Sequence, residues 1–205
     1  MKTRILSANS PETLHVILQI LTDGGLVAFP TDTVYGLGAL AFNGHAVESI
    51  YTAKARPIDK SIPVLLSDLM ELEKVTSLIP AMALNLASHF WPGPLTLVVP
   101  KNQALPDSIS ADETVGVRIP DNKITRSLLR VAGPLAVTSA NKSGGKNPTT
   151  SEEVFAQLGG RIDLILDGGR TAGGVPSTVV DCTRREPIIL RGGPISLEEI
   201  KSVLN

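Results

Sequence analysis

The segment Leu26-Val27-Ala28-Phe29-Pro30-Thr31-Asp32-Thr33-Val34-Tyr35-Gly36-Leu37-Gly38 sets the class of fold. Four consecutive apolar residues closed by Pro30 predict a short strand buried on both faces. The polar triplet Thr31-Asp32-Thr33 then stands at its carboxyl end, which is where ligands sit in α/β sheets. Upstream, Ser10 before Pro11 predicts a helix start, and Leu14, Ile17, Leu18 and Leu21 keep helical spacing until Gly24-Gly25. Downstream, helices are predicted over 46–55, 80–90 and 124–131, interleaved with strands over 62–66, 95–99, 115–119 and 135–137. Capping boxes at Thr150-x-x-Glu153 and Ser196-x-x-Glu199 open two more helices, and strands are predicted over 164–166, 177–181 and 188–190. This alternation predicts an α/β fold with a twisted mixed sheet and flanking helices. No repeat or linker interrupts it, so residues 1–205 are expected to form one domain.

Composition narrows the function. Apolar residues make up 42% of the chain and aromatics only 3%, so the core must be aliphatic. Lys and Arg total 19 against 20 Asp and Glu, which argues against nucleic-acid affinity resting on overall charge but leaves room for a local basic pocket. A single cysteine, Cys182, precludes an internal disulfide. The first residues do not read as a leader, and no apolar run approaches the ~20 residues a membrane span needs, so a cytoplasmic, non-membrane protein is expected. There is no G-x-x-x-x-G-K-[ST], no G-x-G-x-x-G between strand and helix, and no G-x-S-x-G elbow. His15, His45 and His89 are scattered, so no protein metal site is expected. Chemistry, if present, must work by positioning and charge.

Four groups of residues suit that. Lys54 and Arg56 end a predicted helix, where cations favour the helix dipole and need no other reason, yet the pair also suits neighbouring phosphates. The hydroxyls of Thr31 and Thr33 are ordinary turn formers that equally suit a polar ligand. Ser139-Ala140-Asn141 repeats the strand-end arrangement before a loop rich in Lys and Gly. Arg118 and Arg191 lie in or beside apolar strands, where an unpaired charge is expensive, so each must meet a carboxylate or phosphate. Arg170, in a Gly-rich stretch, reads as a solvated charge.

Taken together, Pro30-Thr31-Asp32-Thr33-Val34-Tyr35-Gly36-Leu37, Lys54-x-Arg56-Pro57, Trp91-Pro92-Gly93-Pro94-Leu95-Thr96, Val117-Arg118-Ile119-Pro120, Ser139-Ala140-Asn141, Ser177-Thr178 and Leu190-Arg191-Gly192-Gly193-Pro194 resemble the threonylcarbamoyl-AMP synthase family. The resemblance implies a YrdC/RibB-like fold and a nucleotidyltransferase that makes threonylcarbamoyl-AMP and pyrophosphate from L-threonine, bicarbonate and ATP for tRNA modification. It implies Mg2+ held mainly by the nucleotide and downstream threonylcarbamoyl transferase proteins as partners. By motif position, Lys54 and Arg56 look like catalytic cations, and Thr31, Arg118, Val137 and Ser177 like the threonine set. Lys54, Ile58, Thr114, Ser139, Asn141, Asn147 and Arg191 look like the ATP set. Two positions depart from many relatives: Ala55 stands where they carry Gly, and Leu65 where some carry His. Longer relatives close the site with a linker, whereas here any lid is expected from the chain's own loops. The alternative is an RNA-binding module of the same fold, holding tRNA or double-stranded RNA in ribosome or tRNA maturation. A carbamoyl transferase acting on another acceptor is a further reading, although the zinc-finger segments of such relatives are not seen here.

Overall fold

The computed structural model describes residues 2–10 and 12–204. Among the described residues ten strands form a single mixed sheet. The central part is built from β2 (Val27–Phe29), β3 (Gly36–Leu40), β7 (Leu135–Ser139), β4 (Val64–Leu65), β6 (Thr114–Arg118) and β5 (Leu95–Pro100), adjacent in that order. On one side lie β8 (Leu164–Asp167) and the edge strand β1 (Arg4–Ser7); on the other lie β9 (Thr178–Asp181) and the edge strand β10 (Ile188–Arg191). The β1–β8, β2–β8, β4–β6 and β5–β9 pairs are parallel, and the rest are antiparallel. The α/β class with a mixed sheet and flanking helices is therefore as expected.

Strand alternation divides the core between the two faces of the sheet. Val27 and Phe29 join an apolar cluster with Ile17 and Leu21 of α1 (Thr13–Thr22) and with Leu128 and Leu129 of α5 (Lys123–Ala132). Ala28, Leu37 and Ala39 belong to the larger cluster on the opposite face. That cluster packs on α2 (Gly44–Lys54), the short α3 (Leu72–Val75), α4 (Ala81–Phe90), α6 (Ser151–Leu158) and α7 (Leu197–Leu204). In β3 two of the residues on the first face, Gly36 and Gly38, are glycines for a steric reason. A Cβ at Gly38 would lie 2.8 Å from the Phe29 ring, and one at Gly36 2.7 Å from a Val137 methyl.

Four expectations need correction. The N-terminal helix begins at Thr13 after Glu12, with no side-chain cap, and Ser10 contributes its carbonyl to the Thr13 amide instead. Pro11 lies outside the described residues. Ahead of that helix, Arg4–Ser7 forms an edge strand that the sequence reading left out. The residues after Tyr35 also form a strand, β3, which joins β2 to β7. At Thr150 the capping box is displaced: the Thr150 hydroxyl accepts from the Glu153 amide, but the Glu153 carboxylate accepts from the amide and hydroxyl of Thr149. The Ser196–Glu199 box is reciprocal as read.

Candidate anion and amino-acid site

A cavity of about 410 Å³ opens beside the Thr31–Gly36 segment, over Thr114, Gly116 and Arg118 of β6 and the carboxyl-terminal half of β7. Thr31, Arg118, Val137 and Ser177 line it. So do Arg56, Thr114, Ser139, Asn147 and Arg191. Lys54, Ile58 and Asn141 are not among its lining residues. Lys54 is 1% exposed and lies beneath Ser139, whereas Ile58 is 76% exposed.

Lys54 sits at the end of α2, and the chain leaves that helix through Ala55 in the left-handed region, φ +51°. The ammonium donates to the Ser139 carbonyl and, at 2.5 Å, to the Asn141 carbonyl. The Lys54 carbonyl in turn accepts from the Ser143 amide at 2.9 Å. Burial, and then the neighbouring Arg56 charge, push Lys54 down to about 7. Asn141 extends the same arrangement, donating to the Lys142 and Gly145 carbonyls at 2.8 Å each. These residues shape the turn that presents Ser139.

Three guanidiniums converge on the cavity. Arg56 donates to the Lys60 and Ser61 carbonyls at 3.0 and 2.9 Å. Arg191 grips Ser177 with two nitrogens on the carbonyl, at 3.1 and 2.8 Å, and one on the hydroxyl at 3.0 Å. The Ser177 hydroxyl also pairs with Thr96 at 2.8 Å. Burial pulls the pKa of Arg191 down, helped by the charges of Arg118 and Arg56. Mutual repulsion of this kind makes the cavity a place for anions.

Arg118 is the most buried of the three. Its Nε donates to the Gly93 carbonyl at 2.9 Å, its Nη1 to the Thr33 hydroxyl at 3.2 Å and its Nη2 to Asp32 at 2.5 Å. Burial lowers its pKa and Asp32 opposes that fall. Thr33 and Thr31 share a 2.9 Å hydroxyl contact, and Thr31 gives its own hydrogen to the Val34 carbonyl at 2.7 Å. Thr33 is therefore the donor between the two. Hydrogen bonding runs in one direction from Arg118 through Thr33 and Thr31 to the main chain, and it freezes both hydroxyls.

The sequence reading missed Asp32 as the partner of Arg118, and it missed Thr96 and Asp112 around the cavity, whereas the hydroxyl pair Thr31 and Thr33 lines it. Only Asp32 gave a signal: a strand-borne arginine needs a carboxylate, and Asp32 stood in a strand-end triplet already singled out. Leu65 lines the cavity as an apolar wall.

The family described as telomere recombination, which groups Sua5, YciO and YrdC, matches residues 19–193. A threonylcarbamoyl-AMP synthase of Bacillus subtilis is 45% identical over 97% of this chain and 58% of its own length. One of Pyrococcus abyssi is 43% identical over 93% of this chain and 57% of its own length. The chain thus spans somewhat under two thirds of those relatives. The crystal structure of Pyrococcus abyssi Sua5 complexed with L-threonine superposes with a TM-score of 0.94 at 40% identity, covering 100% of this chain and 61% of that one. Escherichia coli YciO superposes with a TM-score of 0.85 at 26% identity, over 97% of this chain and 98% of that one. With a family match over most of its residues and solved relatives of the same fold, the chain belongs to the Sua5/YciO/YrdC family.

Proposed function

We propose that this cavity carries out a nucleotidyl transfer in which L-threonine, bicarbonate and ATP give threonylcarbamoyl-AMP and pyrophosphate, feeding tRNA threonylcarbamoyladenosine formation in the cytoplasm. The observation that carries the reading is the meeting of Arg56, Arg118 and Arg191, from three separate stretches, on one hydroxyl-lined cavity. Its volume of about 410 Å³ falls in the range of small-molecule sites. The names of the relatives, and the threonine complex of the Pyrococcus structure, agree with it.

In this reading the threonine amine bonds to the carbon of bicarbonate-derived carbon dioxide and loses a proton, which leaves a carbamate. A carbamate oxygen attacks the α-phosphorus of ATP, the bond to the bridging oxygen breaks, and pyrophosphate leaves with its electron pair. Arg118 receives the threonine carboxylate beside Thr31, Ser177 and the Val137 main chain. Arg56 and Arg191 offset charge on the phosphates, as fixed cations aimed at developing negative charge do. Thr114, Ser139 and Asn147 offer polar contacts to the nucleotide, and exposed Ile58 offers apolar surface at the rim. Lys54 and Asn141 act by holding the turn that carries Ser139.

No group of three or more metal-ligating side chains forms among the described residues, and Asp112 is the one carboxylate on the cavity lining there. That donor set fits an ion brought in on the phosphates, and Mg2+ would there neutralise charge on the leaving pyrophosphate. Among the described residues no helix is long and apolar enough to cross a membrane. The product would pass to separate threonylcarbamoyl transferase proteins.

The decisive measurement is pyrophosphate release by the purified protein with ATP, Mg2+, bicarbonate and single amino acids. Release should require both bicarbonate and L-threonine. Release indifferent to threonine removes the substrate assignment, and none under any condition removes the activity.

A further inference from the structure

The Arg118 guanidinium has five N–H hydrogens. Among the described residues three are used: one on Nε by Gly93, one on Nη1 by Thr33 and one on Nη2 by Asp32. One hydrogen remains on each terminal nitrogen, and two adjacent nitrogens are what a carboxylate needs for a bidentate grip. Whether that pair faces the cavity depends on how the plane of the guanidinium is fixed. Gly93 and Thr33 fix it with neutral acceptors, whereas Asp32 supplies the single charged contact, the stronger kind.

Asp32 is itself well held. Its side chain is 14% exposed, against 7% for Arg118, so the pair is shielded from water and salt. Its backbone is pinned from behind, because the Gly174 amide donates to the Thr33 carbonyl at 2.7 Å and a Cβ at Gly173 would meet the Asp32 carbonyl at 2.7 Å. Asp32 is absent from the cavity lining although both its neighbours, Thr31 and Thr33, are present. It therefore reaches any ligand only through Arg118.

We propose that Asp32 is a positioning residue which sets the Arg118 guanidinium so that its two remaining N–H groups meet the carboxylate of an incoming amino acid. This rests on the reading of Arg118 as the carboxylate site. Asp32 accordingly determines how strongly the site prefers a free carboxylate over a neutral group of the same shape, while leaving the side-chain and nucleotide contacts alone.

The test compares L-threonine with L-threoninamide, which lacks the anionic carboxylate, by calorimetric titration of the wild-type chain, Asp32→Ala and Asp32→Asn. In the wild type, L-threonine should bind well ahead of the amide. If the two bind alike there, the Arg118 reading itself fails, independently of Asp32. Given that preference, Asp32→Ala should weaken L-threonine tenfold or more and leave threoninamide within about twofold, since aligned charged hydrogen bonds are worth ~1.5–3 kcal/mol. Asp32→Asn keeps an acceptor at the same reach and should recover L-threonine affinity to within about threefold of wild type. Equal weakening of both ligands, or unchanged threonine affinity, overturns the proposal as a general structural loss or an idle contact. Tighter threonine binding in Asp32→Asn overturns it too, because Asp32 would then compete with the ligand. If Asp32→Ala does not fold, Asp32→Asn and Asp32→Ser decide on the same ligand ratio.

Discussion

The Lys54 ammonium donates to the main-chain carbonyl of Asn141 at 2.5 Å across 87 residues of sequence. The end of α2 is thereby tied to the turn after β7, and no carboxylate takes part in the tie. An ammonium held only by carbonyls and 1% exposed bears a desolvation penalty that its hydrogen bonds offset in part.

Stability should accordingly depend on pH in a definite direction. Lys54 lies at about 7 in the folded protein against an ordinary value of 10.5. Between those values the unfolded chain holds a proton that the folded chain lacks, so unfolding takes up a proton and stability rises with pH. Below about 7 both states are charged and the contribution is flat. Urea unfolding of the wild-type chain and Lys54→Met from pH 6 to 9.5 should show the difference between them moving in favour of the wild type above pH 7. A constant difference across the range would mean that Lys54 keeps its charge in the folded state.

The next residue carries a backbone strain that one substitution removes. Ala55 holds φ +51°, a region costing roughly 1–2 kcal/mol for a residue with a Cβ. Glycine recovers that but gives back some unfolded-state entropy. Ala55→Gly should stabilise the protein by about 0.5–1 kcal/mol and raise Tm by ~1–4 °C on thermal unfolding. An unchanged or lower Tm would show that the turn relaxes around alanine.

How much of this was legible in sequence follows from where each signal resides. Leu95–Val99 declared itself because a run of β-formers, aliphatic apart from Thr96, has few other uses. Arg4–Ser7 did not, since it is a largely exposed edge strand that exists through its parallel pairing with β8. β3 stayed hidden because Gly36 and Gly38 disfavour strands locally and are required only once Phe29 and Val137 are packed against them. In the site, Arg118 was conspicuous because a charge inside a strand needs an explanation. Asp32, its partner 86 residues away, stood in a strand-end triplet already singled out, but nothing local joins the two positions. The acceptors of Lys54 are backbone carbonyls, which leave no mark on the sequence at all.

The β3 glycines can be tested directly. At Gly38 the nearest atoms to a new Cβ are ring atoms of Phe29 at 2.8 and 3.1 Å, in a strand buried on both sides. Neither neighbour can move without disturbing the sheet or the α1–α5 face. Gly38→Ala should cost about 1–3 kcal/mol by overpacking, measured as a lower urea midpoint with unchanged slope. Gly38→Ala combined with Phe29→Leu should recover part of the loss. Failure of that rescue would place the strain elsewhere.

The last prediction concerns Arg191, whose two nitrogens on the Ser177 carbonyl and hydroxyl join a residue of the nucleotide set to one of the threonine set. Lysine keeps the charge but is a point donor that cannot span both oxygens. Arg191→Lys should therefore raise the KM for ATP about tenfold, the scale of one charge-assisted hydrogen bond, and raise the KM for threonine as well, because Ser177 loses its anchor. Ser177→Ala removes the hydroxyl from the same contact. Since the two substitutions break one interaction, their effects on kcat/KM for threonine should fall short of additive by more than ~0.5 kcal/mol in a double-mutant cycle. Strict additivity would mean that the two side chains serve their substrates independently, and the grip seen between them would then be incidental to turnover.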